Sequence, residues 1–165
     1  MVVMDYCLGC TVSCCRNYFI PLTCSDVKRL VERGLDPLDY IDFSRVGSIE
    51  SAYPDVRLGD GYYYMVLRRR ADEACALSSE SSGNLICSIH GSHPTVCRLY
   101  PFDEFTGGFR GKVTCERYGR ADFDVGELAD KRRSEHEEYA LKVRQWNGSC
   151  RERRSAPDFI SFLLD

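Results

Sequence analysis

The chain has no apolar stretch approaching the ~20 residues that a bilayer-spanning helix needs, and so no transmembrane segment is expected. Residues 1–15 lack a basic segment followed by an apolar one, the pattern of a secretory leader, and a cytoplasmic location is expected. A marked basic excess is missing too: the net charge is -3, which argues against nucleic acid as a partner. Three basic runs, Arg68-Arg69-Arg70, Lys131-Arg132-Arg133 and Arg151 to Arg154, lie among carboxylates such as Asp72, Glu73, Asp130 and Glu135, and read as solvated surface. There is no internal repeat, no clear linker, and no glycine-rich loop of the kind that cradles a dinucleotide or S-adenosylmethionine; Gly59-Asp60-Gly61 fits a hairpin turn better.

What remains is the pattern of one α+β domain over 1–165, with a cysteine-bearing core at 5–120 and a helical C-terminal extension at 121–165. Its expected elements are short strands and helices around the cysteines, followed by a long C-terminal helix. Residues 17–20 read as a strand. Thr23 caps a helix, with Asp26 completing the cap and Val27, Leu30 and Val31 on one face, and the helix stops at Gly34. Asp36-Pro37 opens a brief helical turn reaching about Phe43, and residues 56–67 form a hairpin. Residues 75–77 read as a strand and 78–84 as a polar loop before Leu85-Ile86-Cys87. A short helix after His93-Pro94 carries Cys97 and ends at Pro101, and a second hairpin is expected about Gly107-Gly108. A long helix over 125–147 carries an interrupted apolar stripe of Leu128, Tyr139, Val143 and Trp146, and a terminal helix over 157–164 offers Phe159, Ile160, Leu163 and Leu164 to the core.

The most informative feature is the presence of 10 cysteines. In a reducing compartment such a chain holds metal more often than disulfides. Cys7, Cys10, Cys14 and Cys15 form a close group, whereas Cys75, Cys87, Cys97 and Cys115 are dispersed over the next hundred residues. Close spacing lets one short segment supply several ligands, and distant cysteines then close the site. Thiolate is a soft ligand that suits both zinc and iron–sulfur clusters. In an extended segment Cys14 and Cys15 point to opposite faces; in a helix Cys7, Cys10 and Cys14 share a face, with Cys15 roughly 80° away. Either way the adjacent pair does not aim at one ion, so one of them serves a second metal, bridges two irons, or packs.

Cys7-Leu8-Gly9-Cys10, then Cys14-Cys15, then Leu22-Thr23 with Asp26 and Arg29-Leu30, resembles the opening of the CxxCxxCC family of zinc- or iron-chelating domains. Cys87-Ser88-Ile89-His90, Pro94 and Cys97-Arg98-Leu99-Tyr100-Pro101-Phe102 resemble its second half, with Cys75 before that segment and Cys115 after it. The resemblance covers about 5–120 and implies that Cys7, Cys10, Cys14, Cys15, Cys75, Cys87, Cys97 and Cys115 are the metal ligands. The chain departs from the pattern in having three residues between Cys10 and Cys14, in His90 where tyrosine is usual, and in His93 where arginine often precedes the proline. Cys24 and Cys150 match no family cysteine and read as structural or free thiols.

His90 and His93 lie close enough to Cys87 in sequence for either imidazole to join a metal held there, although both occupy non-ligand positions of the pattern. Arg98 beside Cys97 would offset the net negative charge of a four-thiolate site, or else forms an ordinary surface ion pair. Tyr100 and Pro101 are expected to fix the end of the ligand-bearing helix, and His136 is expected to be exposed. The function expected is metal binding, of an iron–sulfur cluster or zinc, at a structural or electron-transfer site. A more distant resemblance to flagellin lysine-N-methylases implies methyl transfer to protein lysine as an alternative; metal delivery or storage, with a protein client, is another.

Overall fold

The computed structural model describes residues 14–47, 52–59, 61–81, 83–109, 124–149 and 155–165, with the side chains of Cys14, Asn17 and Asn84 excepted. Helices and short antiparallel strands alternate in an α+β arrangement: α1 (Cys14–Asn17), α2 (Cys24–Val31), α3 (Pro37–Tyr40), β1 (Ile41–Arg45), β2 (Val56–Leu58), β3 (Gly61–Leu67), β4 (Ser78–Ser81), β5 (Asn84–Cys87), α4 (Thr95–Leu99), α5 (Val125–Gly148) and α6 (Ala156–Leu164). No helix among the described residues is long and apolar enough to cross a membrane.

The start of α2 is set by a reciprocal cap. The Thr23 hydroxyl accepts from the Asp26 backbone N–H at 3.3 Å, and the Thr23 backbone N–H donates to Asp26 Oδ2 at 2.9 Å. Val27 and Leu30 face inward, and the turn after the helix ends at Gly34, whose φ of +82° is left-handed. Asp36 then caps α3 by accepting from the Leu38 N–H at 2.9 Å. This turn is shorter than the sequence indicates: Phe43 belongs to β1, where Phe43 pairs with Met65.

β3 is the central strand of a sheet ordered β1–β3–β2. It pairs antiparallel with β1 from Ile41↔Leu67 to Arg45↔Tyr63, and with β2 from Val56↔Tyr63 to Leu58↔Gly61. Residues 17–20 are not a strand: Asn17 ends α1. The chain that follows does run along β3, with a bridge between Pro21 and Val66 and bonds from Leu67 N–H to Ile20 O at 2.9 Å and from Leu22 N–H to Met65 O at 3.0 Å. Pro21 has no N–H to give, which limits this pairing to its neighbours.

The segment expected as a polar loop is a second hairpin. β4 pairs with β5 from Ser78↔Cys87 to Ser81↔Asn84 around a two-residue turn in which Gly83 has a φ of +79°. The strand begins at Ser78 rather than Cys75, because Cys75 only bridges Arg69 before a turn. The serine-rich strand conceals its pairing from a hydrophobic pattern. Phe102 bridges Phe109 about the Gly107-Gly108 turn, and residues 112–115 lie outside the described residues.

In α5 the inward stripe is continuous, running through Leu128, Arg132, Glu135, Tyr139, Val143 and Trp146. The interruption visible in the sequence is filled by buried ions, so Lys131-Arg132-Arg133 is not uniformly solvated surface. Trp146 and Tyr139 meet Leu22, Val27, Leu30, Val56, Phe159 and Leu163 in the main core, and the Trp146 and Phe159 rings lie 5.3 Å apart. The α6 start has its own reciprocal cap between Ser155 and Asp158.

Candidate metal centre

Cys15, Cys75, Cys87 and Cys97 come from four separate elements or turns; backbone hydrogen bonds link the segments of the first three, and a tyrosine pair links α1 with α4. Cys15 lies in α1, and its carbonyl accepts from the Cys75 N–H at 2.9 Å. The Cys75 carbonyl in turn accepts from the Ser78 N–H at 3.1 Å and from the Ser78 hydroxyl at 2.7 Å. Ser78 stands opposite Cys87 in the β4–β5 hairpin, so Cys87 is carried back toward the same region. Ser88 secures that return through bonds from its N–H (3.0 Å) and hydroxyl (2.6 Å) to Leu77 O. Cys97 arrives on α4. Three residues beyond Cys15 and Cys97 respectively, Tyr18 and Tyr100 share a hydroxyl–hydroxyl hydrogen bond of 3.0 Å with ring centroids 5.0 Å apart. Tyr100 is the residue that closes α4, its N–H donating to Val96 O at 3.2 Å.

Arginines hold this framework from the outside. Arg69 donates to the carbonyls of Arg16, Tyr18 and Glu73, gathering the turn after Cys15 and the turn before Cys75 under one guanidinium. Arg70 donates to Ser78 O at 2.6 Å and to Asp72, and its bond helps to push the Asp72 carboxyl down to about 2. Arg16 reaches Asp72 O at 2.7 Å and Glu80 at 2.8 Å. The Arg68-Arg69-Arg70 run is thus a clamp on backbone carbonyls more than a solvated patch.

The thiols feel one another. Withdrawal from water is the main reason the Cys97 pKa stands well above the ordinary thiol value, and the charges of Cys75, Cys87 and Cys15 push it further up. Cys75 is raised mainly by burial, with Cys15 adding to the shift, while a backbone N–H and the cations Arg69 and Arg70 oppose it. Burial, with mutual repulsion added to it, keeps such thiols protonated until a cation sits among them; a coordinating metal reverses the sign and deprotonates its ligands outright. Soft, water-withdrawn thiols with guanidinium groups nearby are a donor set that fits zinc or iron. Among the described residues no group of three or more His, Cys, Asp or Glu side chains stands in an arrangement that could hold a metal ion. Cys7, Cys10 and Cys115 lie outside the described residues, as does the side chain of Cys14.

His90 and His93 pack edge to face with ring centroids 4.7 Å apart, His90 being exposed. Cys24 is fully buried at the start of α2, its thiol pushed up to about 11 by burial and then by Glu138; Cys150 lies outside the described residues. His136 is not exposed: its ring packs against Tyr53 and Phe105 at 5.1 and 5.3 Å, and its buried Nε2 has no hydrogen-bond partner among the described residues. Sequence reasoning missed Asp26 and Arg132 as neighbours of this region. Asp26 was legible only as a cap, although its carboxylate also accepts from the Thr95 N–H at the start of α4, at 2.9 Å.

No curated protein and no solved structure matches the chain. Residues 6–116 match the CxxCxxCC family, whose description reads "Putative zinc- or iron-chelating domain". With that match spanning the cysteine-bearing part of the molecule, the chain belongs to the CxxCxxCC family of zinc- or iron-chelating domains.

Proposed function

We propose that this protein binds metal, as an iron–sulfur cluster or as zinc, through Cys7, Cys10, Cys14, Cys15, Cys75, Cys87, Cys97 and Cys115. The observation that carries the reading is that hydrogen bonding draws three separate cysteine-bearing segments together: the Cys75 N–H donates to Cys15 O at 2.9 Å, and Ser78, whose N–H donates to Cys75 O at 3.1 Å, stands opposite Cys87 in the β4–β5 hairpin. Eight thiolates exceed the four required by one tetrahedral ion or one cubane cluster, and Cys14 and Cys15 are consecutive residues of one helical turn. The ligands therefore serve two four-thiolate sites or one multinuclear cluster, with iron–sulfur slightly preferred. A reducing compartment, the cytoplasm, suits such thiolates.

Anaerobic purification followed by metal and sulfide counting tests the proposal. Iron with matching sulfide and absorbance in the visible indicates a cluster; colourless protein with stoichiometric zinc indicates closed thiolate sites. Single Cys→Ser variants at Cys7, Cys10, Cys87 and Cys97 should each lose metal and stability together, because binding and folding are linked. Unchanged metal content in all of them would overturn the assignment. One metal atom per chain with only four sulfurs at ~2.3 Å would overturn the multinuclear reading.

A further inference from the structure

A buried polar network joins α2, α4 and α5 behind the candidate metal centre. Arg132 has no exposed surface. Its Nε donates to Glu104 Oε2 at 3.0 Å, its Nη1 to Asp26 Oδ2 at 3.0 Å, and its Nη2 to Pro21 O at 3.2 Å and to the Tyr53 hydroxyl at 2.6 Å. The Arg132 guanidinium also lies 5.3 Å from the centroid of the Tyr53 ring. Asp26, equally buried, accepts from the N–H and hydroxyl of Thr23, from Arg29, from Arg132 and from the N–H of Thr95. Arg29 also donates to the Thr95 hydroxyl at 2.9 Å and to Glu135 at 2.6 Å.

Thr95 is the first residue of α4, and Cys97 stands two residues further on. The capping residue of α4 is Pro94, which makes no side-chain cap bond, so the carboxylate on α2 performs that service from outside the helix. We infer that Asp26 and Arg132 are positioning residues for Cys97, and that α5, beyond the end of the family match, is a working part of the metal centre. This rests on the thiolate reading above.

An apolar plug would join α5 to α2 as firmly, since replacing buried ion pairs by well-packed apolar groups is often neutral or stabilising. Apolar packing has no direction, however, and would leave the rotation and axial position of so short a helix loosely set. Hydrogen bonds are directional. The bonds from the Thr95 N–H to Asp26 and from Arg29 to the Thr95 hydroxyl fix where α4 begins and which way it faces. Arg132 holds Asp26 in the orientation that accepts them. Groups behind the ligands commonly set metal affinity in this way.

The experiment uses Co(II) as the probe on the full chain, in wild type and in the Asp26→Asn, Arg132→Met and Arg132→Lys variants. Affinity is read by chelator competition and geometry by the sulfur-to-cobalt charge-transfer and d–d bands, alongside circular dichroism. Asp26→Asn and Arg132→Met are expected to bind cobalt about 10–100-fold more weakly, with shifted d–d bands, and Arg132→Lys to recover part of the affinity. Folded variants with wild-type bands and affinity would overturn the inference. Should either variant fail to fold, Thr95→Val carries the test: it removes only the Arg29 bond to the hydroxyl, and unshifted bands there would overturn the inference as well. A wild-type chain that takes up no cobalt on thiolate would instead overturn the thiolate reading, and the inference with it.

Discussion

Cys24 and His136 show how far one residue's environment departs from what its neighbours in sequence indicate. The Cys24 thiol is pushed up to about 11 by burial and then by the Glu138 carboxylate of α5, so it stays protonated and inert at neutral pH. A Cys24→Ser, Cys150→Ser double variant is expected to keep its full metal content, at a cost of about 1 kcal/mol of stability; loss of metal would undo the ligand assignment. His136 is surrounded by Glu135, Glu137 and Glu138 in sequence and reads as exposed, yet helix periodicity turns its ring toward Tyr53 and Phe105. Burial and then the charge of Arg132 hold its pKa below the ordinary 6.5, against the opposing pull of the Ala52 carbonyl, Glu104 and Glu137. Its neutral form is the folded one, so its contribution is fully present above the unfolded pKa and is lost as pH falls through the depressed folded value. His136→Gln is therefore expected to flatten the decline in urea midpoint below about pH 6.5. An identical pH profile in wild type and variant would refute this. The buried Arg132 was not legible, since nothing in the run Lys131-Arg132-Arg133 by itself marks which member points inward.

At the level of elements, caps were more legible than strand pairings. Thr23 with Asp26 follows from local chemistry alone, because a capping side chain bonds its own first turn. Gly34 tests the same idea at a helix end. Its φ is +82° and a Cβ there would meet nothing within 4 Å among the described residues, so Gly34→Ala isolates backbone strain from crowding. The variant should lose about 1–2 kcal/mol, seen as a lower denaturant midpoint with an unchanged slope; no change in midpoint would mean that the turn relaxes elsewhere. The β4–β5 hairpin was not legible because Ser78, Ser79, Glu80 and Ser81 carry no apolar alternation. Its pairing is supported instead by tertiary partners, including Arg16 on Glu80 and Arg70 on the Ser78 carbonyl. Strand structure imposed from outside leaves little trace in the strand's own sequence.

For the whole molecule, the α+β class and the family pattern carried by the cysteines were both legible, whereas the dependence of the cysteine-bearing part on the C-terminal helices was not. The family match ends at residue 116, but the core beneath it includes Tyr139, Val143 and Trp146 from α5 and Phe159, Ile160 and Leu163 from α6, all buried. Burying one such side chain is worth about 1.5–3 kcal/mol, so together they supply on the order of 10 kcal/mol, comparable to the whole stability of an ordinary domain, about 5–15 kcal/mol. Removing them also takes away Arg132 and leaves the buried carboxylates of Asp26 and Glu104 without that partner. An unpaired buried charge costs more than a lost contact. A fragment of residues 1–120 is therefore expected to retain the thiols but to lose the cooperative melt of the full chain and to bind a hydrophobic dye, with added metal restoring order only in part. Circular dichroism melts of the fragment and the full chain, with and without Zn(II), check this. A metal-free fragment that melts cooperatively within a few degrees of the full chain would show that 121–165 is a separable appendage rather than half of the core.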